Sequence, residues 1–420
     1  MTVGAGRAPV EPDAGRPGTT HLRSLDGLRA VAAFGVIATH AGFNTGRSLQ
    51  RNALAPFLAR LDIGVTLFFL LSGFLLFRPF AASILAGSPA PRAGAFWWRR
   101  ALRILPAYWL AVVVTLSVLS ARQATPRDWL AYLTLTHTYT SHDLDPALRQ
   151  MWTLATEISF YAVLPLLAWL TRQAARRLAP LTCLVGLTAL MIAGGIAAQL
   201  FIHAVSGATT AALQWLPAYL DWFGLGMLVA VISCVPTGRV AGFDAVRAWA
   251  QRAPGTCWVV GGLFFWLSTL PVAGPYDLSP LSTWQWTIRH LLYGAAALFV
   301  VLPAMLGRSA LTQRVLGNPV VAWLGVVSYG VYLWHLPLLL AFQRWFGWRT
   351  FGGHFLPLWL LTSAAATAVA AVSWYLLERP LLRHASRPWR PRPARGLDQR
   401  DAQRDKAEHL GQPAARERIG

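Results

Sequence analysis

Charge is what this 420-residue sequence has least of: 13% of its residues are charged, against roughly a quarter in an ordinary soluble domain. Only 17 residues are acidic, and Lys406 is the sole lysine among 37 basic residues. So few carboxylates cannot solubilise a chain that is 55% hydrophobic and carries 20 Trp and 20 Phe. The two or three soluble domains that length alone would suggest are therefore excluded. Cysteine is equally scarce. Cys183, Cys234 and Cys257 lie in or beside apolar segments, are odd in number and lack metal-ligand spacing, which argues against a disulfide framework and a metal site. Residues 1–20 lack an apolar core, so no cleavable signal peptide is expected and the first hydrophobic segment serves as an uncleaved anchor. The net charge of +20 does not point to nucleic acid, which needs a continuous basic surface. Here the basic residues fall mostly in short connectors and in the last 40 residues.

What the sequence has in abundance is long apolar runs, and these predict an all-α, polytopic membrane protein. About 20 mainly apolar residues are needed to cross a bilayer. Ten segments approach this, at roughly 27–43, 62–85, 104–121, 151–170, 180–203, 215–234, 256–271, 285–306, 321–343 and 355–377. The weaker piece 129–140, with His137, reads as an exofacial or re-entrant segment. With the N-terminus inside, arginines in inner connectors outnumber those in outer ones by twelve to eight, the positive-inside pattern. Both termini are then cytoplasmic, in a multi-pass protein of the cell membrane. The expected organisation is a tail at 1–24, a transmembrane domain at 25–382 and a basic, solvated tail at 383–420.

An ionisable group inside a span must be paired or costs several kcal/mol, so it is a candidate for function. Arg29 and His40 are eleven residues apart in the first span. On a helix they share a face, about 16 Å apart along the axis, with small Ala33 and Val36 between them. Glu157, in Trp152-Thr153-Leu154-Ala155-Thr156-Glu157, opens the fourth span, with Tyr161 one turn on. A carboxylate there calls for a partner, and His40 or Arg29 would suit. Arg100 and Arg103 begin the third span, where they serve either as topology signals or as a clamp on phosphate. Ser72-Gly73 interrupts an aromatic helix and permits close backbone approach. His335 lies in the aromatic ninth span, and Glu378-Arg379-Pro380 ends the tenth as a charge pair and helix stop.

In order, these motifs resemble those of the acyltransferase-3 family of integral membrane acyltransferases, which includes O-antigen acetylases and macrolide-sugar acyltransferases. The resemblance rests on Leu25-Asp26-Gly27-Leu28-Arg29 followed by His40, Phe68 through Phe74, Arg100-Ala101-Leu102-Arg103, Trp152 through Glu157, Ser328-Tyr329 through His335-Leu336-Pro337, and Glu378-Arg379-Pro380. It departs at Ile158-Ser159, where many members carry Glu and Gln. The resemblance implies transfer of an acyl group, usually acetyl, from acyl-CoA as co-substrate to a hydroxyl of a carbohydrate or glycoside, with no bound cofactor and no metal. It implies Arg100 and Arg103 on the CoA phosphates, Arg29 on the route inward, and His40 as general base or acyl carrier. Glu157 would orient His40 as a triad carboxylate does, with Ser72, Gly73, Trp152, Tyr161 and His335 in support. Two other classes use similar residues: a transporter or flippase with Arg29, His40 and Glu157 on its path, and a polyprenyl-linked glycosyltransferase, for which Asp143 and Asp145 are the nearest match to acidic metal ligands.

Overall fold

The structure is a computed structural model that describes residues 17–140, 145–206, 211–307 and 309–385. The expected tails lie outside the described residues, apart from 17–24 and 383–385, as does Asp143. Among the described residues every regular element is helical. The ten principal helices are α1 (Pro17–Asn44), α2 (Gly64–Leu85), α3 (Ala93–Val114), α4 (Trp152–Ala174), α5 (Pro180–Ser206), α6 (Leu220–Cys234), α7 (Pro254–Leu267), α8 (Thr283–Leu306), α9 (Pro319–Trp345) and α10 (Phe355–Ser373).

Each expected segment falls on one of these helices, but only eight are long and apolar enough to cross a membrane, not ten, counting with α6 the helical turn Leu216–Tyr219 that extends it to 19 residues. α7 has 14 residues, about 21 Å of helix, short of a hydrocarbon core of about 30 Å. α1 has the length, with 28 residues, yet Asp26, Arg29 and His40 dilute its hydropathy. The charges that mark α1 as a candidate for function also make it a poor span by composition. It is sheltered instead by packing: Leu25, Leu28, Ala33, Val36 and Ile37 are all buried.

α1 and α9 lie side by side and run in the same direction. A Cβ on Gly325 would lie 1.8 Å from the Asp26 carbonyl at one end. The His40 and His335 rings are 5.2 Å apart in the middle. At the far end Gln343 Nε2 donates to the Asn44 carbonyl at 3.3 Å. α2 and α6 form the second close pair. A Cβ on Gly73 would lie 2.2 Å from the Phe223 carbonyl, and one on Gly226 would lie 2.1 Å from that of Leu70. Only glycine permits that separation, which gives Gly73 a packing role.

In the most apolar stretch of the α2, α6 and α9 spans, 61–67% of residues are buried, against 22% for α5 and α10. The first three are central, and the last two turn Leu190, Phe201, Leu360 and Val372 outward, as lipid-facing helices do. The end of α10 differs from expectation. Trp374–Glu378 forms a π-helical turn and the chain continues as helix Arg379–Ala385, so Pro380 stops nothing. It occupies the first turn of a new helix, where its missing N–H is harmless. Glu378 accepts from Ser373 Oγ at 3.2 Å, and Arg379 lies over the Tyr375 ring.

Candidate active site

Two cavities meet inside the helical core. The first, about 290 Å³, is lined by Arg29, Ser72, Arg100, Arg103, Glu157, Tyr161, Ser328 and Tyr329 among others. Five helices supply these groups, each turning one or two polar side chains inward from an otherwise apolar face: α1 gives Arg29, α2 Ser72, α3 Arg100 and Arg103, α4 Glu157 and Tyr161, and α9 Ser328 and Tyr329. Glu157 Oε1 accepts hydrogen bonds from both Ser72 and Tyr161, so the carboxylate ties α2 to α4. Arg29 pairs with Asp26 at 2.9 Å on its own helix. Arg100 and Arg103 have no ion pair or hydrogen bond among the described residues, and Arg100 Nε is buried without a partner. Three guanidiniums against one carboxylate in the lining leave an excess of positive charge suited to a polyanion.

The second cavity, about 260 Å³, contains His40 together with Asp62, Arg149, Gln150, Trp152, Trp222, Trp286, Arg289, His290 and Tyr293. It shares Val65 and Tyr332 with the first, which makes those two side chains the partition. Tyr332 is held there: its hydroxyl accepts from Thr153 Oγ1 at 2.9 Å and donates to the Gln150 carbonyl at 3.2 Å. Aromatic faces and amides dominate the second lining. Gln150 and Gln214 each have a side-chain oxygen that is buried without a donor, so the wall offers acceptors to hydroxyl groups.

The expected residues therefore divide. Arg29, Ser72, Arg100, Arg103, Glu157 and Tyr161 line the first cavity, and His40 and Trp152 line the second. Gly73 lies in the α2–α6 contact, and His335 is fully buried beside His40. The pairing expected of Glu157 with His40 or Arg29 does not occur, because Ser72 and Tyr161 take its carboxylate and Asp26 takes Arg29. The neighbour of His40 is His335, one helix away. His335 Nδ1 is 2.7 Å from the Tyr332 carbonyl; a carbonyl only accepts, so Nδ1 carries the proton and Nε2 keeps the lone pair. That Nε2 is buried without a partner. Asp145, the glycosyltransferase candidate, caps a helical turn by accepting from Ala147 N at 2.9 Å and from Ser120 Oγ at 2.6 Å.

The geometry adds groups that the reading of motifs passed over. Asp221 and His290 form a buried pair at 2.8 Å, with the imidazole stacked on Trp222. Tyr293 donates to Asp62 at 2.5 Å, and Arg289 lies over Trp286. The rule that flagged Arg29 and Glu157, a charge within an apolar run, applies equally to Asp221, Arg289 and His290. Among the described residues no three His, Cys, Asp or Glu side chains converge to hold a metal.

Residues 22–378 match the acyltransferase-3 family model, described as an acyltransferase domain. The chain belongs to this family. It is a multi-pass membrane acyltransferase. Nodulation protein 10 of Rhizobium leguminosarum bv. viciae is 27% identical over 391 residues, 86% of this chain and 94% of that protein. The putative peptidoglycan O-acetyltransferase YrhL of Bacillus subtilis is 25% identical over 76% of this chain and 49% of its own length. The O-acetyltransferase OatA of Staphylococcus aureus is 23% identical over 78% of this chain and 52% of its own. This acyltransferase thus spans about half the length of those two O-acetyltransferases. No solved structure matches it.

Proposed function

We propose that this acyltransferase moves an acyl group, acetyl by analogy with its relatives, from acyl-CoA in the arginine cavity to a hydroxyl of a carbohydrate or glycoside in the His40 cavity. The observation that carries the reading is the pair of cavities meeting at Val65 and Tyr332. One has unpaired guanidiniums for the phosphates of CoA. The other has aromatic faces and unfilled acceptors for a polyhydroxylated ring, with an imidazole at its edge. A thioester reaching the partition from one side meets a hydroxyl reaching it from the other.

In the proposed reaction His40 takes the proton of the acceptor hydroxyl as the oxygen bonds to the thioester carbonyl carbon. The carbon–sulfur bond breaks, and the departing thiolate receives the proton from the imidazolium. His335, with its lone pair beside His40, supports the charge that forms there. Glu157 acts on the donor side by fixing Ser72 and Tyr161. Positioned acid–base help of this kind contributes 10²–10⁴-fold in rate. The test supplies radiolabelled acetyl-CoA to purified protein in bilayer discs with a glycan extract as acceptor. Label appears in the extract with the intact protein and is lost with His40→Ala. Undiminished labelling by that variant refutes the role of His40, and no covalently labelled acceptor in any arm refutes the transfer itself.

A further inference from the structure

The His40 cavity carries a charge imbalance that transfer to a plain hydroxyl does not require. Its charged lining residues are Asp62, Arg149 and Arg289. Asp62 is already engaged by Tyr293, and Asp221 is engaged by His290. Among the described residues no carboxylate lies within ion-pair distance of either arginine. Arg149 is exposed, in the short helical segment Pro146–Met151 that leads into α4. Arg289 is half-buried on α8, and a cation partly withdrawn from water is costly unless it is paired.

Arg289 is nevertheless held in place. Its guanidinium lies 4.6 Å from the centroid of the Trp286 ring, and the Trp286 indole N–H donates to Gln199 Oε1 at 2.9 Å. A ring contact of this kind fixes the plane of the guanidinium without using its donors. Five N–H groups thus remain in a rigid fork that matches the oxygens of a carboxylate or phosphate. Arg289 and Arg149 favour an anion, while the unfilled acceptors of Gln150 and Gln214 in the same wall suit hydroxyl groups of the same molecule.

We infer that the acceptor carries an anionic group, a carboxylate or phosphate, which seats on Arg289 and Arg149 while a hydroxyl of the same molecule reaches His40. This rests on the transferase reading above and narrows its acceptor to an acidic or phosphate-linked carbohydrate. The charge can belong to the sugar, as a uronate, or to a phosphodiester at its anomeric carbon. Both present the same oxygen geometry to arginine.

Calorimetric titration of the full chain in bilayer discs tests this with three probes: methyl β-glucoside, glucuronic acid and glucose 1-phosphate. A charge-assisted hydrogen bond contributes enough for about tenfold in affinity. At least one charged probe therefore binds about tenfold or more tightly than the neutral glucoside, and which one leads identifies the source of the charge. Arg289→Gln abolishes the preference, and a cooperative melting transition of the variant in the same discs reports that it is folded. The double variant Arg100→Gln, Arg103→Gln keeps the preference, assigning the anion to the His40 cavity. Equal binding of charged and neutral probes, a preference that survives Arg289→Gln, or one lost only in the double variant overturns the proposal. Failure of the transferase reading is seen separately, as the absence of label transfer from acetyl-CoA.

Discussion

Replacing His335 by phenylalanine tests how His40 is supported. His335 is fully buried, spends its Nδ1 proton on the Tyr332 carbonyl at 2.7 Å and retains an unpartnered lone pair on Nε2. Its ring centroid is 5.2 Å from that of His40. When His40 takes the acceptor proton, the new positive charge forms beside that lone pair. A hydrogen bond to a charged group contributes about 1.5–3 kcal/mol, and lost from the transition state alone this is roughly a 10- to 150-fold fall in kcat. His335→Phe keeps a ring of similar size and removes the acceptor, whereas His335→Gln retains one. Initial rates of labelled acetyl transfer by purified protein, with donor and acceptor varied in turn, separate kcat from KM. The phenylalanine variant loses kcat by about that factor with an unchanged KM for acetyl-CoA, and glutamine restores most of it. Glu157→Gln moves KM for the donor more than kcat, because its carboxylate serves the arginine cavity. A phenylalanine variant within about threefold of the parent, a change under about 0.7 kcal/mol, refutes the reasoning. So does a Glu157→Gln variant whose kcat collapses at normal KM, as that of an orienting carboxylate would.

Further outcomes follow from the same geometry. Arg100→Gln and Arg103→Gln each raise KM for acetyl-CoA by about tenfold, the loss of one charged hydrogen bond; steady-state kinetics that leave this KM unmoved contradict the donor site. Gly73→Ala puts a methyl 2.2 Å from a backbone carbonyl of α6 that cannot turn aside, an overpacking of about 1–3 kcal/mol. It lowers the melting temperature in detergent, whereas Gly194→Ala, with nothing within 4 Å of its added Cβ, does not; equal melting of the two variants would show that the α2–α6 contact is looser than described. His137, in the connector before α4, is buried against the Tyr132 ring, and burial pushes its pKa down from 6.5 to about 4. The unfolded chain therefore takes up this proton at higher pH than the folded one. Stability from this residue is complete above about pH 6.5 and is lost toward pH 4, at about 1.4 kcal/mol per unit. Melting between pH 7 and 5 falls more steeply for the parent than for His137→Phe; identical slopes would remove His137 as the cause.

The helices were legible because each is a local pattern: ten apolar runs fell on ten helices, and the eleven-residue spacing of Arg29 and His40 placed them on one face of α1. Their neighbours were not legible in the same way. Glu157 reads as a partner for His40 because both are rare polar groups in apolar helices, yet which face of α4 meets which level of α1 depends on tilt, offset and rotation. Those are settled by close contacts such as Gly73 against Phe223 and Gly325 against Asp26. Asp221, Arg289 and His290 stayed unremarked because no familiar string surrounds them.

By itself the sequence determined that this chain lives in a bilayer, which segments are helical, and which few charges need an explanation, since scarcity of charge is a property of composition and needs no coordinates. Only the tertiary structure decided how those charges are shared out. It divides them between two cavities separated by Val65 and Tyr332, gives Glu157 to Ser72 and Tyr161, and sets His335 beside His40. The physical reason is that a buried polar group is satisfied by whatever donor or acceptor packing brings within about 3 Å, and at that range a turn of one helix exchanges one partner for another.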